Sequence, residues 1–184
     1  MAEAGAVLIH YRARFAKLLS AYAASTHQEC SGGREELEVR YTTVKTVADP
    51  FAGRSDLVSA LLEHQETHRQ AELASRQCLS GPHKDDLAVS LNGLPARSFA
   101  SQGQTRTAAL ALKLAAREIH REIIGEYPVL LLDDVLSELD PRRQEFVLNR
   151  ISGGQVFITC CEDDRLSRLL NGKVFHIQNG IALS

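Results

Sequence analysis

The chain has 184 residues, 44% of them hydrophobic and 24% charged, which suits a globular protein of one domain, or one with a small satellite. A formal net charge of −2 excludes a global basic field, so any contact with nucleic acid has to be local. Cys30, Cys78, Cys160 and Cys161 lack zinc-type spacing, and no signal pattern or apolar run of membrane length occurs, so free thiols, a cytoplasmic location and no membrane partner are expected.

Residues 3–28 have helical spacing. Leu8, Tyr11, Phe15, Leu18 and Tyr22 recur every three or four positions and define one stripe, with Arg12, Arg14 and Lys17 off it. The "SGG" at 31–33 supplies a stop. In "ELEVRYTTV" Leu37, Val39, Tyr41 and Thr43 alternate, as on one face of a strand. Asp56 is placed to cap a second helix running to about Ser75, which contains Leu57, Leu61, Leu62 and His68. Residues 1–80 therefore read as a mostly helical lobe.

"LSGPHKDD" breaks the helical pattern, and "LAVSLNGLPARSF" reads as a hairpin turning at Asn92-Gly93. A long helix is expected over about 105–124, with an apolar stripe of Leu112, Ala116, Ile119 and Ile123, ended by Gly125. The run 129–132 is purely apolar, as in a parallel strand covered on both faces. Asp140-Pro141 is a cap followed by proline at the first helical position, opening a helix to about Ile151. A second buried strand at 156–159, a short helix and a terminal hairpin at Asn179-Gly180 complete the chain. Strand, helix, strand from 129 onward signals an α/β sheet.

Three motifs carry chemistry. Four apolar residues followed by Asp133 and Asp134 make the Walker B pattern, at the strand end where ligands of α/β sheets gather. Asp133 can hold Mg²⁺, and Asp134 can orient or deprotonate a water; the alternative is an acidic turn. Ser101, Gln102, Gly103 and Gln104 precede the long helix, where backbone amides and the helix N-terminus favour an anion; the alternative is a polar helix cap. Ser137, Glu138, Leu139 and Asp140 follow the carboxylates, and Asp140 doubles as a cap.

With "GPHKDDLAVSLNG", "SQGQTRTAALALKLAA" and "GEYPVLLLDDVLSELD" in view, the chain resembles the C-terminal half of the RecF family of bacterial DNA replication and repair proteins. These are ABC-type ATPases akin to the SMC and Rad50 heads. The resemblance covers essentially the whole chain and is strongest over 81–140. It implies a partial ABC-type head, an α/β P-loop NTPase fold with a helical second lobe, divided as 1–80 for the lobe and 81–184 for the core. Ser101, Gln102, Gly103 and Gln104 then match the signature motif, which contacts ATP held by another head. Asp133 and Asp134 match Walker B, and Ser137 to Asp140 match the D-loop. Asp134 stands where many ABC heads have Glu, which implies slow hydrolysis.

There are two departures. Cys160 occupies the approximate place of a switch histidine. A Walker A loop needs Gly, four residues, Gly-Lys and Ser or Thr, yet the only Gly-Lys here is Gly172-Lys173, followed by Val174, with no Gly five residues earlier. The resemblance therefore implies ATP and Mg²⁺ as cofactors but a phosphate loop on another polypeptide, either a Walker A-bearing N-terminal half or a second head. It also implies an outer edge on the 156–159 strand that lacks its neighbour, and with it self-association or marginal solubility of the chain alone. This chain by itself is not expected to be a competent ATPase.

The remaining partners implied are DNA, at gaps or single-strand/double-strand junctions, and mediator proteins of the RecR and RecO type. Arg106, Lys113, Arg117 and Arg121 on the long helix are candidate DNA contacts, as are Arg12, Arg14 and Lys17, although Glu118 and Glu122 suit an ion-paired solvated face. His83 and Lys84 in "GPHKDD" admit no physical choice between nucleotide, DNA and a structural turn. Three rival readings remain. An SMC- or Rad50-like head fragment is disfavoured by the lack of flanking heptads. A non-enzymatic docking module would bind without turnover. A metal nuclease using Asp133 and Asp134 would leave the signature loop unexplained.

Overall fold

The computed structural model describes residues 1–136, 139–160 and 172–183. It is of mixed α/β class and divides into two compact units, Met1–Ile119 and His120–Ser184.

In the first unit, α1 (Ala2–Ser31) runs thirty residues and ends where Gly32 adopts φ 67°, a left-handed cap that lets its N–H reach back into the last turn. β1 (Leu37–Thr42) pairs antiparallel with β2 (Asp86–Leu91), Leu37 opposite Leu91 and Thr42 opposite Asp86. Asn92 and Gly93, both at positive φ, turn β2 into the two-residue β3 (Leu94–Pro95), and the short α3 (Ala96–Phe99) follows. α2 (Arg54–Ser75) opens on Gly53 with no side-chain cap. Asp56, expected as that cap, lies inside the first turn, where a carboxylate complements the helix dipole. A 3₁₀ turn, Pro82–Lys84, leads into β2.

Among the described residues, two clusters of buried side chains hold this unit. Ala2, Ala6 and Ile9 of α1 meet Val44, Val47, Leu57 and Leu61. Leu19 and Ala23 meet Leu37, Val39 and Leu91 of the sheet and Ala108, Ala111, Ala115 and Ile119 of α4 (Gln102–Ile124). Each large aliphatic side chain buried this way stabilises by roughly 1.5–3 kcal/mol.

The buried face of α1 is therefore not the expected stripe. Leu8, Tyr11, Phe15 and Leu18 are exposed, whereas Ala6, Ile9, Ala13, Ala16, Leu19 and Ala23 are buried. Both series fit helical spacing, and the alanine-rich one wins because small side chains let the helix approach the sheet and α2 closely. The α4 stripe is displaced in the same sense. Its fully buried residues include Ala108, Ala111, Ala115 and Ile119, Leu112 and Ala116 pack at its margin, and Ile123 is exposed.

A division at residue 80 does not match the compact units. β2 pairs with β1 along its whole length, and α4 up to Ile119 packs on the same core, so both belong to the first unit.

In the second unit, β4 (Leu130–Asp133) pairs parallel with β5 (Val156–Thr159), Leu130 opposite Val156 and Asp133 opposite Thr159. α5 (Pro141–Arg150) lies between them in sequence, capped by Asp140, whose carboxylate accepts the Arg143 N–H at 3.1 Å. β6 (His176–Gln178) and β7 (Ile181–Leu183) form a hairpin on Asn179-Gly180. Leu130 and Leu132 are buried, but Leu131 is 70% exposed and its partner Phe157 is 52% exposed. Among the described residues the Leu131–Phe157 face of this sheet is exposed, contrary to the expectation for an unbroken apolar strand. Among the described residues β5 has β4 as its sole strand neighbour, which leaves its other edge unpaired. The short helix expected after Thr159 lies outside the described residues.

Candidate nucleotide site

Asp133 ends β4 and Thr159 ends β5, and parallel pairing sets them side by side. The Thr159 hydroxyl donates to Asp133 Oδ1 at 2.5 Å and accepts the Asp134 N–H at 3.1 Å; the same N–H also reaches the Thr159 carbonyl. One hydroxyl thus fixes the first acid and the backbone of the second. Asp134 has φ 52°, a left-handed conformation that Asp tolerates better than most residues and that often marks a functional turn. Both acids are exposed. An exposed carboxylate oxygen pair at a strand end, with one oxygen already oriented, fits Mg²⁺, which takes one or two carboxylates and leaves its other positions to water and phosphate. Thr159 gave no signal in the sequence beyond ending an apolar run.

Leu139 is buried at 8% exposure, and Asp140 serves as the α5 cap and pairs with Arg143 at 3.2 Å. Ser137 and Glu138 lie outside the described residues. Cys160 is exposed directly after Thr159.

Ser101, Gln102 and Gly103 are exposed at the start of α4. Ser101 and Gln104 form a reciprocal capping box. The Gln104 N–H reaches Ser101 Oγ at 3.3 Å, and the Ser101 N–H reaches Gln104 Oε1 at 2.8 Å. Gln104 Nε2 donates to Glu35 Oε1 at 3.0 Å, and Glu35 Oε2 faces the fully buried His27 Nε2, also at 3.0 Å. The cap and the exposed polar loop are both present, but the Gln104 side chain is engaged inward.

Among the basic residues of α4, Lys113 and Arg121 are exposed, Arg106 is half-buried, and the Arg121 guanidinium lies 5.2 Å from the Tyr127 ring centroid. Arg117 is only 3% exposed, which removes it from any surface a DNA phosphate could reach. On α1, Arg12 donates to Asp85 at 2.7 Å and to the Pro82 carbonyl. Tyr41 donates to Asp85 at 2.5 Å, and its hydroxyl pKa is pushed well up by burial and then by that bond. Arg12 is raised as well, chiefly by its bond to Asp85. "GPHKDD" is therefore a turn that locks α1 to β1, and it lines a groove of about 600 Å³ with Tyr11, Phe15 and Leu87. The His83 ring hydrogen-bonds the carbonyl of Cys78, which precedes this turn. No group of three or more metal-ligating side chains occurs among the described residues, and none of their helices is long and apolar enough to cross a membrane.

No family model matches the chain. The DNA replication and repair protein RecF of Clostridium kluyveri is 41% identical over 182 residues, that of Clostridium perfringens strain 13 is 39% identical over 182, and that of Streptococcus suis is 41% identical over 182; each alignment covers 98% of this chain. Two solved structures of the recombination mediator protein RecF, described as in the RecFOR pathway with ATP and with ATPrS, match at 35% and 34% identity with TM-scores of 0.82 and 0.81. The chain is a relative of RecF. It spans about half the length of the RecF proteins it matches, 48–49% of the curated relatives and 47–48% of the solved chains, which is consistent with a C-terminal half. The mixed α/β fold and the match to RecF structures over about half their length are consistent with a partial ABC-type ATPase head.

Proposed function

We propose that the chain is the half of a RecF-type, ATP-dependent DNA-binding protein that supplies Walker B and the signature motif to an ATP-bridged pair of heads, in recombinational repair and replication-fork maintenance. The observation that carries this reading is the pair of acids Asp133 and Asp134, set by Thr159 at the ends of parallel strands, in a chain without a phosphate loop. Asp133 is the residue that would hold Mg²⁺, which would supply charge neutralisation at the phosphates. Asp134, raised on its left-handed turn, orients the attacking water. Exposed Ser101, Gln102 and Gly103 meet the phosphate of nucleotide held by the partner head, where the α4 N-terminus favours negative charge. DNA and mediators of the RecO and RecR type are the partners that go with this role, with the exposed Lys113 and Arg121 of α4 the candidate contacts to DNA phosphate, and the cytoplasm is its place. Likeness to RecF structures solved with ATP and ATPrS supports the choice of nucleotide.

The test is equilibrium binding of a fluorescent ATP analogue with Mg²⁺. The chain alone is expected to show no binding, and mixing with a Walker A-bearing half is expected to restore it, with loss on Asp133→Ala. Tight binding by the chain alone would overturn the half-site reading.

A further inference from the structure

The capping box that opens α4 has a support outside the motif itself. A glutamine side chain offers one acceptor oxygen and one donor amide. In Gln104 both are used, the oxygen on the Ser101 N–H at 2.8 Å and the amide on Glu35 Oε1 at 3.0 Å. Glu35 sits between the α1 cap and β1, with a side chain only 16% exposed. Its second oxygen is taken by His27, which is fully buried. A carboxylate only accepts, so the His27 Nε2 carries the proton and donates. His27, Glu35, Gln104 and Ser101 therefore form a continuous chain of hydrogen bonds from the interior of the first unit to the exposed loop. Carboxylate acceptors make the stronger class of bond, and a half-buried one loses less to solvent.

We infer that Glu35 is a positioning residue for the signature loop. It fixes the Gln104 side chain, which fixes the Ser101 amide, and so presents Ser101, Gln102 and Gly103 in one conformation to the phosphate. This assigns Gln104 to the support and leaves the phosphate contacts to the three residues before it. The inference rests on the nucleotide role proposed above for that loop.

Two measurements test it. In the chain alone, ¹H–¹⁵N spectra report the Ser101 and Gln104 amides. Glu35→Ala is expected to shift both and to speed Ser101 amide exchange by about tenfold, the loss of one hydrogen bond of ordinary net strength. Glu35→Gln, which retains an oxygen acceptor for Gln104, is expected to stay within about threefold of the parent. Unchanged Ser101 exchange in Glu35→Ala overturns the inference. In the chain assembled with a Walker A-bearing half, the ATP concentration for half-maximal head association should rise about tenfold in Glu35→Ala and be largely rescued in Glu35→Gln. The double variant Glu35→Ala/Gln104→Ala should be no worse than Glu35→Ala. A Glu35→Gln variant as defective as Glu35→Ala, or additive losses, would mean a merely structural role. Ser101→Arg separates the two levels. If it abolishes ATP-driven association while Glu35→Ala has no effect, only the Glu35 inference fails. If Ser101→Arg has no effect, the nucleotide role of the loop fails, and the amide spectra alone decide whether Glu35 orders it.

Discussion

Leu8 and Ile9 are neighbours on α1 with the same number of carbons, yet Ile9 is fully buried and Leu8 is 44% exposed. Replacing each by alanine tests which face of the helix is core. For Ile9→Ala, the lost carbons at about 0.8 kcal/mol each give about 2.4 kcal/mol. A partly collapsed cavity of about 40 Å³ adds about 1 kcal/mol, for a total of about 3.4 kcal/mol. Leu8→Ala leaves no enclosed cavity and forfeits only partial burial, so about 1 kcal/mol or less is expected, offset slightly by the helix propensity of alanine. With a urea slope of about 2 kcal/mol/M, the midpoint should fall by about 1.7 M for Ile9→Ala and by at most about 0.5 M for Leu8→Ala. Urea titration of the chain followed by far-ultraviolet circular dichroism reads both. Equal losses, or a larger one for Leu8→Ala, would refute the assignment of the alanine-rich face to the core.

Acid should weaken the chain in two stages. His64 is held below the ordinary imidazole value of 6.5, first by burial and then by the His68 ring stacked on it at 3.9 Å, and its Nδ1 pairs with Ser80. The unfolded chain therefore takes up that proton more readily, so stability is complete above about pH 7.5 and falls as pH drops through 6.5 toward the folded value. Glu72 is held below 4.5, chiefly by accepting the Leu79 N–H, so a further loss begins below that pH. Urea midpoints that stay flat from about pH 7.5 to 5.5 would contradict the first stage, and His64→Gln should flatten it. Gly153→Ala should cost about 1–3 kcal/mol, because φ is +86° and an added Cβ would lie 2.8 Å from Tyr127 Cε2. Gly180→Ala, at φ +77° with nothing within 4 Å, carries the backbone cost alone and should melt at a higher temperature than Gly153→Ala. Leu131 and Phe157 lie opposite each other on the uncovered face of the β4–β5 pair, so the chain alone should sediment as a dimer or larger species, and Leu131→Thr/Phe157→Lys should shift it toward monomer. A parent chain that stays monomeric at high concentration would count against this.

Features that depend on neighbouring residues were legible in the sequence. The two Asn-Gly turns, the Gly32 and Gly125 stops and the Asp140-Pro141 helix start all rest on backbone conformations that only a few residue types favour, and the structure carries each of them. Which face of a helix meets the core was not legible. On α1 two apolar series of helical spacing lie side by side, and residue size favours the wrong one, because a close-packed contact selects alanine rather than leucine. The exposed face of β4 was equally hidden. An unbroken apolar strand states that both faces become covered, but not that the covering elements belong to the same polypeptide.

The site divides along the same line. The acids and the loop before α4 stand out as motifs because their chemistry needs particular residue types at fixed spacing. The groups that orient them do not. Thr159 lies 26 positions from Asp133 and Glu35 lies 69 from Gln104, and no local pattern links either pair. Each pair is brought together by a contact between elements distant in sequence: the β4–β5 pairing for the first, and the packing of α1, the β1 entry and α4 around one core for the second. The two candidate surfaces consequently have different kinds of support. The acid pair is fixed by a neighbouring strand end, while the loop before α4 is fixed by a hydrogen-bonded chain rooted in the buried His27. A substitution in the interior of the first unit can therefore reach the loop while leaving the acids untouched, and the paired responses of Glu35→Ala and Thr159→Val would separate the two supports.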